Sequence, residues 1–197
     1  MNQYEIFGAQ PQQEKLKCET VEINNGAYCL YPNFFTKFES DNYLERLRKE
    51  ISWKQESMNM YGKSINFPRL TAWYGDNDKP YSFSGITLKP NLWINDIIKI
   101  KQMIEPISQT VFNSVLLNLY RDGNDSISWH TDAEPELGIN PIIASVNFGE
   151  TRSFQLRHIN TKEKLQLFLN AGYLTMSNVS AYGADAMALG DVLSDNL

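Results

Sequence analysis

The stretch SVLLNLYRDGNDSISWHTDAEPELG, residues 114–138, decides how the chain is read. Its opening SVLLNLY is an apolar strand interrupted by Asn118 and Tyr120, and SISWHTD beyond the RDGND turn carries His130 and Asp132 two residues apart. Side chains alternate across a strand, so Asn118 and Tyr120 share the face of Leu116, while His130 and Asp132 share one face of the next segment. Burying an amide and a phenol without partners costs on the order of 1–3 kcal/mol each, so something polar must meet them. His-x-Asp is two thirds of a 2-His-1-carboxylate triad, the set that leaves open positions on ferrous iron. Alone, such a pair is more often a hydrogen-bonded surface pair. Its conjunction with Asn118 and Tyr120 across one hairpin favours a metal site whose third ligand is a distant His.

Outward from this stretch, residues beyond Val111 read almost entirely as strand: PIIASVNFG, SFQLRHI, KLQLFL and YLTM, divided by the turns ETR, NTKE and NAG. Short strands at such spacing predict a sandwich or barrel. Two helices precede them. The first runs from Phe38 to Ile51, with Leu44, Leu47 and Ile51 on one face and Ser40 or Asp41 as N-cap. The second runs from Trp93 to about Glu105, with Trp93, Ile97, Ile100 and Ile104 on one side and Pro106 as its stop. Between the helices, aromatic and branched residues divided by Gly, Pro and Asp-Asn signals predict hairpins and loops. Residues 1–30 form an irregular lead-in, with VEI and AYCLY as short strand candidates. There is no internal repeat.

At 197 residues the chain is most simply one domain with a substantial core. Composition is that of a soluble globular protein, 42% hydrophobic and 21% charged, with ten Tyr, ten Phe and four Trp. The net charge of −5 is the reverse of a generic nucleic-acid binder, so phosphate contacts require a local basic surface. No stretch has the roughly 18 apolar residues of a membrane helix, and the N-terminus lacks a basic region followed by an apolar one. An intracellular protein, cytoplasmic or nuclear, is expected, with Cys18 and Cys29 as reduced thiols.

These residues also carry a resemblance. NLYRDGNDSISWHTDAEPELG followed by PIIASVNFGETRSFQLRH, with MYGKSINFPRLTAWYGD and PYSFSGITLKPNLW upstream, resembles the AlkB family of 2-oxoglutarate- and Fe(II)-dependent dioxygenases, in the branch of nucleic-acid demethylases. The likeness covers residues 31–176, leaving 1–30 as lead-in and 177–197 as an atypical tail. It implies an α+β fold: a double-stranded β-helix, or jelly-roll, with the N-terminal helices packed on one sheet. It implies His130 and Asp132 as iron ligands, and Asn118 and Tyr120 as hydrogen-bond partners of 2-oxoglutarate.

The implied chemistry is oxidative dealkylation by molecular oxygen. An N-methyl group of a base, as in 1-methyladenine or 3-methylcytosine of DNA or RNA, is lost as formaldehyde while 2-oxoglutarate becomes succinate and carbon dioxide. The base must be flipped or single-stranded to reach the iron. By the same resemblance Tyr61 is the finger that fills the gap left by a flipped base, Tyr81, Phe83 and Ser84 line the pocket, and Glu134 lies near the base edge. Arg69 and Lys63 are expected phosphate contacts, and a monomer is expected. For each of these, core packing or a solvated turn explains the residue about as well.

The family pattern also calls for a second iron His and for an Arg-x-Asn-Leu-Thr-Phe-Arg strand that clamps 2-oxoglutarate. Here residues 176–197 read MSNVSAYGADAMALGDVLSDNL, with neither motif. Only one other histidine exists, His158, expected to be a hydrogen-bonded strand residue, and no Arg follows Arg157. The change near Met176 reads as a frameshifted or alternatively ended frame, giving incomplete C-terminal strands and a loose end or weak helix. Two further readings follow: an impaired relative that binds nucleic acid as a module, and an aberrantly terminated chain without a role.

Overall fold

The computed structural model describes residues 17–23, 26–60, 62–76, 81–83, 86–130, 142–158, 160–179, 182–184 and 189–192. A hairpin of β1 (Glu19–Ile23) and β2 (Gly26–Tyr31) precedes helix α1 (Lys37–Glu50). Then come β3 (Ser57–Met60), β4 (Lys63–Asn66), β5 (Leu70–Gly75), β6 (Tyr81–Phe83) and β7 (Ile86–Leu88), followed by helix α2 (Asn95–Ser108). The C-terminal part holds β8 (Ser114–Tyr120), β9 (Ile143–Gly149), β10 (Arg152–His158), β11 (Lys164–Leu169), β12 (Leu174–Val179), β13 (Tyr182–Ala184) and β14 (Leu189–Val192).

Seven strands form one sheet in the order β1-β2-β12-β9-β14-β8-β5, and a smaller sheet runs β11-β10-β13. Alternation divides the large sheet into two unlike faces. Ala72, Tyr74, Leu117, Val146, Phe148, Leu174 and Met176 join Tyr43, Leu47, Ile51, Ile97, Ile100 and Ile104 from the helices in one apolar core. The helices therefore pack on one sheet, as expected. The other face turns toward the smaller sheet, where Tyr28 and Leu156 form a second cluster and Tyr28 stacks on Phe154 at 5.8 Å between ring centroids.

Four local expectations are corrected. Helix α1 is capped by Thr36, not by Ser40 or Asp41: Thr36 and Glu39 make a reciprocal capping box, and Ser40 is buried. Helix α2 continues through Pro106 to Ser108 and ends at Gln109 in the left-handed conformation. A proline in the last turn forfeits one backbone bond, while Ile104 and Ile107 still pack on the core.

Residues 126–130 of SISWHTD are not strand. Their backbone is committed elsewhere, Ser126 N–H donating to the Pro68 carbonyl at 2.8 Å. The fourth correction concerns the tail, whose described residues are strand rather than loose end or helix. β12 runs on to Val179, β13 pairs with β10, and β14 lies parallel between β8 and β9. Edges of β8 and β9 left open would expose unpaired N–H and C=O groups, which any extended segment can satisfy.

The turn between β11 and β12 is pressed against the entry to α1. Phe35 N–H donates to the Gly172 carbonyl at 3.0 Å and Gly172 N–H to the Asn147 carbonyl at 2.7 Å. Gly172 has φ +78°, and a Cβ there would collide with the Phe35 carbonyl oxygen. Gly172→Ala is expected to cost at least about 1 kcal/mol, read as a fall in melting temperature of roughly 2–4 °C or more for a chain of this size.

Candidate functional site

The polar face of the large sheet builds the site. Asn118 and Tyr120 stand together on it near the end of β8, Asn118 fully buried and Tyr120 nearly so. Arg69, just before β5, is also buried, 6% exposed, and its Nε–H donates to Asn118 Oδ1 at 2.7 Å. Its guanidinium lies over the Phe67 ring at 5.0 Å. Desolvation pushes the Arg69 pKa below its ordinary value, although arginine stays protonated. The expected surface phosphate contact is thus an interior cation; Lys63, by contrast, is exposed on β4.

The segment between Tyr120 and His130 is fastened at several points. Asp125, buried, accepts from the Arg121 N–H at 2.9 Å and from Arg121 Nε and Nη2 at 2.7 and 2.9 Å. The side-chain bond to Arg121 holds the Asp125 carboxyl below the usual carboxylate range, ahead of the opposing effect of burial. Arg152 on β10 donates through Nη2 to the Asp125 carbonyl at 2.6 Å and lies over the Tyr120 ring at 4.1 Å.

These ties deliver His130 half-buried, its Nδ1 2.9 Å from the Ser128 carbonyl oxygen. A carbonyl only accepts, so in this contact Nδ1 is the donor, an arrangement in which Nε2 would be the nitrogen to meet a metal. Trp129 beside it is covered by Arg157 at 4.3 Å and Lys164 at 5.8 Å from its ring centroid.

Asp132, Tyr61, Ser84 and Glu134 lie outside the described residues, and Tyr81 and Phe83 are on β6. Among the described residues no group of three His, Cys, Asp or Glu side chains is assembled for a metal. His158 is buried on β10 and accepts at Nδ1 from the Asn160 and Thr161 N–H groups at 3.2 and 3.0 Å, closing the turn before β11.

The sequence reading missed Asn147. It is 8% exposed, and its Nδ2 is buried without a hydrogen-bond partner, as is Thr71 Oγ1. Asn147 alternates with Val146 and Phe148 along β9, and its amide in an apolar run was the available signal. Buried donors beside a buried guanidinium fit an acidic, oxygen-rich small molecule such as 2-oxoglutarate, and the His130 tautomer fits iron.

Asn118→Ala would strand the Arg69 Nε–H and is expected to destabilise the fold by on the order of 1–3 kcal/mol in chemical denaturation. For Asp125 the folded pKa is depressed, so its contribution to stability is full above the unfolded-chain value of about 3.9 and is lost as pH falls through the folded value. Stability measured across pH 2–6, a range spanning roughly two units either side of that carboxylate value, is expected to fall less steeply on acidification in Asp125→Asn than in the unaltered chain.

Comparison with known proteins bears on this arrangement. The model of the 2OG-Fe(II) oxygenase superfamily matches residues 27–179. Alpha-ketoglutarate-dependent dioxygenase alkB homolog 3 of Mus musculus is 46% identical over 130 residues, 66% of this chain and 45% of that protein. DNA oxidative demethylase ALKBH2 of Homo sapiens is 38% identical over 142 residues, 71% of this chain and 54% of that protein. The chain thus spans about half the length of the curated relatives it matches. The solved structure of OsALKBH1 superposes with a TM-score of 0.53 at 16% identity, covering 85% of this chain and 88% of that one, a likeness of fold. With the family model matching most of its length and the inter-sheet face carrying Asn118 and Tyr120, this chain belongs to the 2OG-Fe(II) oxygenase superfamily.

Proposed function

We propose that the chain is an Fe(II)- and 2-oxoglutarate-dependent demethylase of N-alkylated bases in DNA or RNA, acting in direct repair of alkylation damage on a jelly-roll scaffold. The observations that carry the reading are the His130 ring held at Nδ1 by the Ser128 carbonyl and the buried donors of β8 and β9. The relatives' own names, an alpha-ketoglutarate-dependent dioxygenase and a DNA oxidative demethylase, support it.

His130 and Asp132 are the residues that would hold iron, and Asn118 and Tyr120 those that would hold 2-oxoglutarate. Bound together, metal and cosubstrate supply the oxidation of the N-methyl carbon; the chain's task is placement and exclusion of water. Ser128 fixes the imidazole, and the Arg121–Asp125–Arg152 ties fix the approach to it. Trp129 offers a ring framed by two cations, a combination suited to bases and phosphates despite the acidic net charge. Tyr61 is assigned to the gap left by a flipped base, with Tyr81, Phe83, Ser84 and Glu134 around the base itself. An intracellular setting, cytoplasmic or nuclear, accords with the free thiols of Cys18 and Cys29, and we assign a monomer.

A second reading is favoured by the engagement of His158 in its own turn, which leaves His130 as the one histidine available as an iron ligand. A module that binds nucleic acid without turnover would follow. The two separate in one assay of succinate and formaldehyde release from an oligonucleotide bearing 1-methyladenine or 3-methylcytosine, with ferrous iron and ascorbate. Demethylation is expected, falling at least about 100-fold in His130→Ala, since even outer partners of a metal ligand are worth 10–100-fold. Release no greater than that of His130→Ala, with binding of the oligonucleotide unaffected by iron, would establish the module instead.

A further inference from the structure

The registers of four strands place Thr71, Asn118, Gly190 and Asn147 in one row across β5, β8, β14 and β9. Residues directly opposite on neighbouring strands point to the same face, and strands lie about 4.8 Å apart. Asn118 and Asn147 therefore stand roughly 10 Å apart, with only a glycine, and so no side chain, between them. Arg69 joins the row through its bond to Asn118.

This row is short of acceptors. The Asn147 Nδ2 and Thr71 Oγ1 are buried without partners. Among the described residues, Arg69 has no carboxylate in ion-pair contact, and Asn118 is its hydrogen-bond partner through Nε alone. A guanidinium removed from water is costly unless an anion meets it, and its terminal nitrogens match a carboxylate two bonds at a time.

We propose that Arg69 is the cationic anchor for the distal carboxylate of the 2-oxo acid, seated in the row between Asn118 and Asn147 over Gly190. This rests on the reading of the chain as a 2-oxoglutarate-dependent oxygenase and deepens it, because it says which of the chain's own groups selects a dicarboxylic oxo acid. The roles divide: Asn118 orients the guanidinium, Asn147 supplies a neutral donor, and Arg69 supplies the charge.

The test is binding, not turnover. The affinities of 2-oxoglutarate and of 2-oxopentanoate, which has the same length but lacks the distal carboxylate, are measured by anaerobic calorimetry on the full chain with ferrous iron. The unaltered chain is expected to prefer 2-oxoglutarate by about 30-fold, the scale of a charged hydrogen-bonded contact. Arg69→Gln is expected to bring that preference close to unity while leaving 2-oxopentanoate affinity in place; a merely structural role would weaken both acids alike. Should Arg69→Gln not fold, Arg69→Lys, which keeps the charge and loses the fork, is expected to cut the preference several-fold, and Asn147→Ala to reduce it less. A preference unchanged in the folded variants overturns the assignment of Arg69 while leaving the demethylase reading intact. Failure of the unaltered chain to bind either acid overturns both.

Discussion

The site exists because one sheet is covered on both sides by unlike material. Strands β5, β8 and β9 alternate, and on the helix side Ala72, Tyr74, Leu117, Val146 and Phe148 share one core with Ile97, Ile100 and Leu47. The intervening residues, Thr71, Asn118, Tyr120 and Asn147, then have nowhere to go but the space facing β10. Slipping any of these strands by one residue would bury polar groups against the helices and turn Leu117 and Phe148 toward the site, so the helix core fixes the register of the functional face. Stability and function share the same strands but use opposite faces of them.

Burial on the functional face is costly, and the structure offsets the cost unevenly. Asp125 is well provided for, with three bonds from Arg121 and a depressed pKa. Arg69 has one amide and the face of Phe67. Ion pairs elsewhere join the helices, Arg46 of α1 to the buried Asp96 of α2, and so serve packing. Polar groups between the sheets are left less complete than those between the helices. That asymmetry is the usual mark of a surface made to receive something, because a half-satisfied buried network is stable only when the missing partner arrives.

Much of this was legible in the sequence because it follows from period. Leu47 and Ile51, and Ile97, Ile100 and Ile104, lie on the buried helical faces that their spacing indicates. Asn118 and Tyr120 were visible as polar breaks in an apolar strand, and His158 as a strand histidine. What was not legible depends on partners distant in the chain. Arg69 reads as a turn residue after Pro68, and only the pairing of β5 with β8, Thr71 opposite Asn118, reveals it as an interior cation. Thr36 was passed over as a cap because Ser40 and Asp41 have the same chemistry, and the choice is made by the Glu39 reach-back. The strand β14 escaped because its sequence, LGDV, has no pattern of its own; the vacancy between β8 and β9 supplies the reason for it to be extended.

The irregular run from Arg121 to His130 shows why a ladder would have been a poorer solution. A regular strand there would set the imidazole by the pleat alone. Instead the Asp125 carboxylate closes the turn on Arg121, the Pro68 carbonyl holds Ser126 beside the Arg69 segment, and Arg152 reaches from the opposite sheet to the Asp125 carbonyl while covering Tyr120. Both sheets and the Arg69 turn therefore converge on the ten residues that end at His130. A loop so tied has the precision of a strand and the freedom to place its final imidazole with Nδ1 turned back on Ser128, a direction that strand pairing, which commits backbone carbonyls to the neighbouring chain, would have denied it.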